Sequence, residues 1–176
     1  GNFVGALALR HPERNFLAID RKDEVLGTAR RIISAGFAAK GREVDNLILT
    51  AYDIERILEI LGPEDRVERI YINFCNPWPV GRDHKHRLTH TRQLACYKEF
   101  LSPGGEIRFK TDDSDLFRWS RRYLQESGGF RIVYETGDLH ASGWEGNIVT
   151  EHERMFAEQG VPIKFLIAQY WPEGKQ

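Results

Sequence analysis

Short apolar runs of strand length alternate along this chain with stretches whose apolar residues recur at helical spacing. That alternation constrains the fold more than any other feature. Asn15–Ile19 is the first run and stops at Asp20, and residues 21–39 then set Val25, Leu26, Ala29, Ile32 and Ile33 at helical intervals. Asn46–Thr50 is a second run, followed by a helical stretch from Asp53 to Leu61 that Gly62-Pro63 closes. Val67–Phe74 is a third, stopped by Asn76-Pro77-Trp78-Pro79. Leu94, Tyr97, Phe100 and Leu101 mark a helix, Ser102-Pro103-Gly104-Gly105 a turn, and Glu106–Lys110 a strand. Leu116, Phe117, Ser120, Tyr123 and Leu124 mark the next helix, ended by Gly128-Gly129. Arg131–Thr136 and Lys164–Tyr170 are the last strands, with a loop over 137–149 and a short helix over 150–159. Strands that lead into helices return by crossovers, which makes them parallel neighbours. The expected fold is therefore α/β: a mostly parallel sheet with helices on both faces. Its C-terminal strands lack a crossover between them and form an antiparallel edge. The opening, Gly1-Asn2-Phe3-Val4 running into Ala6–Leu9, reads as a helix whose preceding strand and Gly-rich turn are missing from this chain.

With 176 residues and no repeat or linker, residues 1–176 are expected to form a single domain. No apolar run reaches the roughly 18–20 residues of a membrane helix, so no membrane partner is expected and the cytoplasm is the expected location. Cys75 and Cys96 have no metal-ligand spacing and no disulfide framework, and read as small buried hydrophobes; no metal is expected. A net charge of −1 argues against a general nucleic-acid coat. Cations nevertheless concentrate in Gly81–Arg92, where Arg82, Lys85, Arg87 and Arg92 stand among His84, His86 and His90 with Asp83 as the lone acid.

Several residues carry chemistry, each with a structural alternative. Asp20, at the end of a strand, suits the ribose hydroxyls of a nucleotide-like cofactor or the cap of the helix that follows. Asp53, after the next strand, has a cofactor reading on the adenine and a structural one as the cap of the helix that follows. Asn76-Pro77-Trp78-Pro79 fixes the backbone at a strand end, either to hold the Asn76 side chain and nearby carbonyls or simply to turn the chain. Thr150-x-x-Glu153 has the form of a helix capping box. Asp112 is followed by Asp113, Ser114 and Asp115, and so also reads as a helix-start acid. The basic stretch is a phosphate-binding patch or a solvated loop.

Asn73-Phe-Cys-Asn-Pro-Trp-Pro79, followed by Arg82, His84, Lys85 and Arg87-Leu88-Thr89, resembles the bacterial tRNA (guanine-N7-)-methyltransferase family, whose pattern is close to N-F-x-D-P-W-P-K-x-R-H-x-K-R-R-L-T. Phe109–Asp113 is similar to F-K-T-D-N, Asp138-Leu139-His140 to a D-L-H element, and Thr150–Glu153 with Phe156 and Gly160 to T-E-Y-E-x-x-F-x-x-x-G. The resemblance runs over essentially the whole chain. Asn76 stands where the family has Asp and Val80 where it has Lys. The family's E-I-G-x-G-x-G is absent except for Gly1 as its last glycine.

The resemblance implies a Rossmann-like class I methyltransferase fold with S-adenosylmethionine as cofactor, held by Gly1, Asp20, Asp53 and Asn76. The implied reaction is methyl transfer to N7 of a guanine in the variable loop of tRNA. Guanine N7 is already a nucleophilic lone pair, so placement is the main task, and Asn76 is the candidate for catalysis. N7 and O6 must stay open, which moves recognition to the N1–H and N2–H₂ donors, the edge that suits carboxylates. Asp112, Thr150, Glu151, His152 and Glu153 are the implied base-binding residues, and Arg82, Lys85 and Arg87 the phosphate contacts. The implied partner is tRNA, for a monomer or homodimer. Three rivals remain at this level. One is an amino-methyltransferase acting on adenine or glutamine, another an NAD-dependent oxidoreductase, and the third a non-catalytic RNA-binding relative.

Overall fold

The computed structural model describes residues Gly1–Glu173, in two compact units. The first comprises Gly1–Arg56 with Gly146–Arg154. Here β1 (Phe16–Asp20) and β2 (Leu47–Ala51) pair in parallel, from Phe16↔Leu47 to Asp20↔Ala51. Phe16, Leu47 and Leu49 share one face and pack on Ala8, Ala29, Ile33 and Phe37, from helices α1 (Asn2–Arg10) and α2 (Asp23–Ala38). In α2 the buried stripe is Leu26, Ala29, Ile33 and Phe37, so Val25, expected inside, lies 45% exposed. Small residues let the two helices approach: a Cβ on Gly1 would lie 2.8 Å from Cα of Ala29.

Asn46 fastens the path between α1 and β1. It is buried, and its Nδ2 lies 3.0, 3.1 and 3.0 Å from the carbonyl oxygens of Ala8, His11 and Arg14. Removing that amide leaves the buried Ala8 carbonyl without its donor. Asn46→Ala is expected to destabilise the fold by about 2–3 kcal/mol, read from the midpoint of urea unfolding.

The second unit comprises Ile57–Glu145 and the residues from Met155 onward. Its sheet has the order β3-β4-β6-β5, built from β3 (Val67–Asn73), β4 (Leu101–Thr111), β5 (Phe130–Thr136) and β6 (Lys164–Tyr170). β3 and β4 are parallel, and β6 runs antiparallel to both neighbours. The antiparallel edge is thus present, with the last strand inserted inside it and β5 outermost. Ile107 and Phe109 of β4 share a face with their partners Ala168 and Leu166. Helix α4 (Ser114–Glu126) covers that face, burying Leu116, Ser120, Tyr123 and Leu124. Phe165 and Ile167 face the other way and pack with Leu139, Ile163, Tyr134, Trp144, Phe156 and Phe74. The remaining helices are α3 (Thr91–Lys98) and α5 (Glu151–Glu158).

Three boundaries differ from expectation. Residues 54–59 form a 3₁₀ segment where a longer helix over Asp53–Leu61 was expected. Helix α3 stops at Lys98, and Leu101 already belongs to β4. The Ser102-Pro103-Gly104-Gly105 turn lies within the span of β4 as a bulge: pairing jumps from Val67↔Leu101 to Arg69↔Glu106. Gly104 sits at φ +80°, and a Cβ on Gly105 would lie 2.7 Å from the Ser102 carbonyl oxygen, so the bulge tolerates only glycine there.

Candidate active site

In the first unit the carboxyl ends of two parallel strands present Asp20 and Asp53. Asp20 closes β1; its Oδ1 accepts the N–H of Lys22 at 2.9 Å, and its backbone oxygen accepts that of Tyr52. Lys22 is the residue that caps α2, with no side-chain hydrogen bond, so Asp20 does not cap that helix. Its Oδ1 bond orients the carboxylate while Oδ2 takes no hydrogen bond among the described residues. Asp53 does act as a cap: Oδ1 accepts the N–H of Glu55 at 3.0 Å, and Oδ2 lies 3.9 Å from Nη2 of Arg21. Gly1 caps α1, where the structure shows a packing reason for glycine in the close approach to Ala29.

The Thr150-x-x-Glu153 segment is a capping box. The Thr150 hydroxyl accepts the N–H of Glu153 at 3.1 Å, and Glu153 Oε2 accepts that of Thr150 at 3.1 Å. Glu153 Oε1 accepts from Nδ2 of Asn147 at 2.8 Å, and the residue is 0% exposed. Thr150 and Glu153, expected on the base, are engaged here in this cap, with both Glu153 carboxylate oxygens accepting local donors. Glu151 and His152 are exposed, with Glu151 Oε1 accepting from Asn2 Nδ2 at 2.8 Å.

In the second unit the carboxyl ends of β3 and β4 carry Asn76 and Asp112. The cap of α4 is Asp113, whose Oδ1 accepts the N–H of Leu116. Asp112 is thereby relieved of the helix-start role. Its backbone oxygen accepts from Lys164 Nζ at 2.9 Å, while its half-buried carboxylate has no hydrogen bond or ion pair among the described residues. Asn76 is exposed, and its Oδ1 accepts the N–H of Trp78 at 3.0 Å. Phe74 and Trp78 on either side sit at φ +54° and +43°, a left-handed conformation that costs a bulky residue about 1–2 kcal/mol. Two such residues in one turn mark backbone that its surroundings hold in place. Cys75 is half-buried as a residue, but its thiol is enclosed, and that burial pushes its pKa up to about 12; it stays a thiol, not a nucleophile.

Arg87 requires the largest correction. Expected on phosphate, it is 1% exposed. Its Nε donates to the Pro77 carbonyl at 2.7 Å, Nη2 to the Trp78 carbonyl at 3.3 Å and Nη1 to the Tyr123 hydroxyl at 3.3 Å. Nη2 also lies 3.8 Å from Asp115 Oδ2. The rest of the stretch is fastened as well: Gly81–His86 winds into a 3₁₀ segment, Thr89 and Ser120 share a buried hydroxyl bond of 2.6 Å, and Tyr97 donates to the Leu88 carbonyl. The cations left at the surface are Arg82, Lys85 and Arg92. Sequence reading missed Tyr123 and Ser120 as anchors of this stretch. The available signal was a serine inside the apolar stripe of α4. Among the described residues no group of three or more His, Cys, Asp or Glu is arranged to hold a metal ion, and no helix is long and apolar enough to cross a membrane.

His90 caps α3 by accepting the N–H of Arg92 on its ring at 3.1 Å, a bond only the neutral imidazole accepts. Burial first, then the charges of Arg92, His84 and Arg87, hold its pKa below the ordinary value near 6.5. The unfolded chain therefore takes up this proton at a higher pH than the folded one. The stabilisation is complete above the unfolded value and is lost as pH falls through the folded one. Melting temperature is expected to fall on acidification below pH 6.5, and His90→Ser, which keeps a cap without a titrating ring, flattens that part of the profile.

A family described as "Putative methyltransferase" matches residues 1–166. The tRNA (guanine-N(7)-)-methyltransferase of Clostridium beijerinckii is 56% identical over 168 residues, covering 96% of this chain and 76% of that protein. The chain belongs to the tRNA (guanine-N(7)-)-methyltransferase family. The family's protein in Acetivibrio thermocellus is 53% identical over 169 residues, covering 96% and 77%. Among solved structures, the N-methyltransferase NodS of Bradyrhizobium japonicum, in complex with S-adenosyl-L-homocysteine, matches with a TM-score of 0.59 at 14% identity, over 97% of this chain and 72% of that one. An rRNA methylase of Streptococcus thermophilus matches with a TM-score of 0.54 at 13% identity, over 90% and 74%. At such identities the likeness concerns the fold alone, which is the Rossmann-like fold of class I methyltransferases.

Proposed function

We propose that this protein transfers a methyl group from S-adenosylmethionine to N7 of guanine in tRNA, in the cytoplasm. The carrying observation is the Asn76 turn: a strained, clamped strand-end turn in the motif of a family whose Clostridium beijerinckii protein is 56% identical to this chain over 168 residues.

The residues present fit the cofactor. Asp20 has an oriented carboxylate with one oxygen to spare, at the strand end where ribose hydroxyls are accepted in this class of fold. Asp53 stands at the next strand end, on the adenine side. Bound S-adenosylmethionine supplies a sulfonium methyl, an electrophile that needs no further activation. Guanine N7 carries its lone pair into the reaction without losing a proton first, so the protein's task is alignment. Once Thr150 and Glu153 are committed to their cap, Asp112 and Glu151 remain as carboxylates for the N1–H and N2–H₂ donors. Arg82 and Lys85, joined by Arg92, supply phosphate contacts.

The test is methyl transfer to unmodified tRNA, with the product mapped by strand cleavage at N7-methylguanine. Tight NAD binding, or RNA binding without methyl transfer, would replace this reading by one of its rivals. Asp20→Ala is expected to weaken S-adenosylmethionine binding at least tenfold by calorimetry; wild-type affinity in that variant removes Asp20 from the site.

A further inference from the structure

We infer that Arg87 is the positioning residue of the reaction. Anchored to Tyr123 of α4, it holds the backbone of the Asn76 turn in the geometry that methyl transfer uses. The inference rests on the proposed methyl transfer and adds a residue role to it.

A guanidinium is costly to bury, and one this deep in the chain is retained only where its donors are used. Here all three nitrogens are engaged, and two of the acceptors are the consecutive carbonyls of Pro77 and Trp78. Those peptide units follow Asn76 directly, and Trp78 is one of the two non-glycine residues at positive φ among the described residues. A planar fork reaching two successive carbonyls fixes the orientation of both peptide planes at once, which a single donor cannot do. The third arm reaches the Tyr123 hydroxyl on α4, and Tyr123 is itself buried. Asp115, also on α4, lies 3.8 Å from the guanidinium and is half exposed. The strained turn is thus tied to a packed helix face, not merely to its own loop.

The consequence is a division of labour within one basic stretch. Arg82 and Lys85 point to solvent and are available to an anion, whereas Arg87 has no surface to offer one. Its effect on the reaction passes through the position of Asn76 and the peptide units beside it.

The experiment compares the parent, Arg87→Lys and Tyr123→Phe. It measures kcat, KM for tRNA, the salt dependence of tRNA binding and thermal unfolding of each. In Arg87→Lys the charge remains but the fork is lost, so kcat is expected to fall ten- to a hundredfold. KM for tRNA should stay within about threefold, and the log–log salt slope should not move. Tyr123→Phe keeps the ring packing and removes one anchor. It is expected to lower kcat about threefold, again with no change in slope, and it decides the matter if Arg87→Lys does not fold. In a further variant, Arg87→Met, the charge is removed as well, and a slope lowered by about 0.7–0.9 there would make Arg87 a phosphate contact and overturn the inference. Unchanged kcat in a folded Arg87→Lys, or in Tyr123→Phe where Arg87→Lys does not fold, would make the clamp purely structural and overturn it too. An inactive parent would overturn the proposed reaction and this inference together. An active parent with either contrary result overturns this inference alone.

Discussion

Changing Arg82, Lys85 and Arg92 together to Glu is expected to lower affinity for tRNA by about two to three orders of magnitude at low salt, and to flatten the salt dependence of what binding remains. These are the cations of the 81–92 stretch whose side chains lie at the surface, Arg82 with 85% of its side chain accessible. Each phosphate contact that ceases to release a counterion lowers the log–log slope by about 0.7–0.9, so the triple variant should lose about two units or more. Filter binding across a salt series measures both quantities. Reversing Arg87 in the same assay tests something else, since its charge is buried and spent on Pro77, Trp78 and Tyr123. An unchanged slope in the triple variant returns the stretch to a solvated loop and moves the RNA site elsewhere on the protein.

The second large effect is expected at Asn76. Its Oδ1 closes a turn onto the N–H of Trp78, between two residues held at positive φ. Asn76→Ala removes that acceptor and lets the turn relax, and misplacement of about 1 Å at a reacting centre costs on the order of a hundredfold in rate. That corresponds to about 2.7 kcal/mol of lost transition-state stabilisation. Asn76→Asp keeps the acceptor for Trp78 and restores the family's carboxylate. The methylated guanine carries positive charge, so a carboxylate nearby favours the transition state. The cofactor's own charge is stabilised too, and only the difference counts. A rise in turnover of about threefold to tenfold is therefore expected for Asp. Equal turnover of the Ala variant and the parent would show Asn76 to be a turn residue without part in the reaction.

Much of the fold was legible because burial leaves a periodic trace. The runs at Asn15–Ile19, Asn46–Thr50 and Val67–Phe74 became β1, β2 and β3 within one residue at either end, and the serine-bearing stripe of α4 is the face that packs on the sheet. Asp20 and Asn76 were singled out by their place at strand ends, where the chain must turn and side chains are freed from the sheet, and Asp112 by the resemblance.

What the amino-acid sequence determined by itself is the identity of the elements, the strand ends that bear polar residues, and the family to which they belong. These depend on local periodicity and on contiguous motifs, both of which are written along the chain. Tertiary structure alone decided how identical side chains divide their work. Asp112 and Asp113 are adjacent acids, yet only the second caps α4, and the first keeps a carboxylate with no hydrogen bond or ion pair among the described residues. Glu151 and Glu153 stand two apart on one helix, yet burial commits the second to a cap. Arg87 lies in the same basic run as Arg82 and Lys85, yet Tyr123, distant in sequence, draws it inward. In each pair the residue type is the same, and what differs is which donors and acceptors the fold brings within about 3 Å and whether water can reach them.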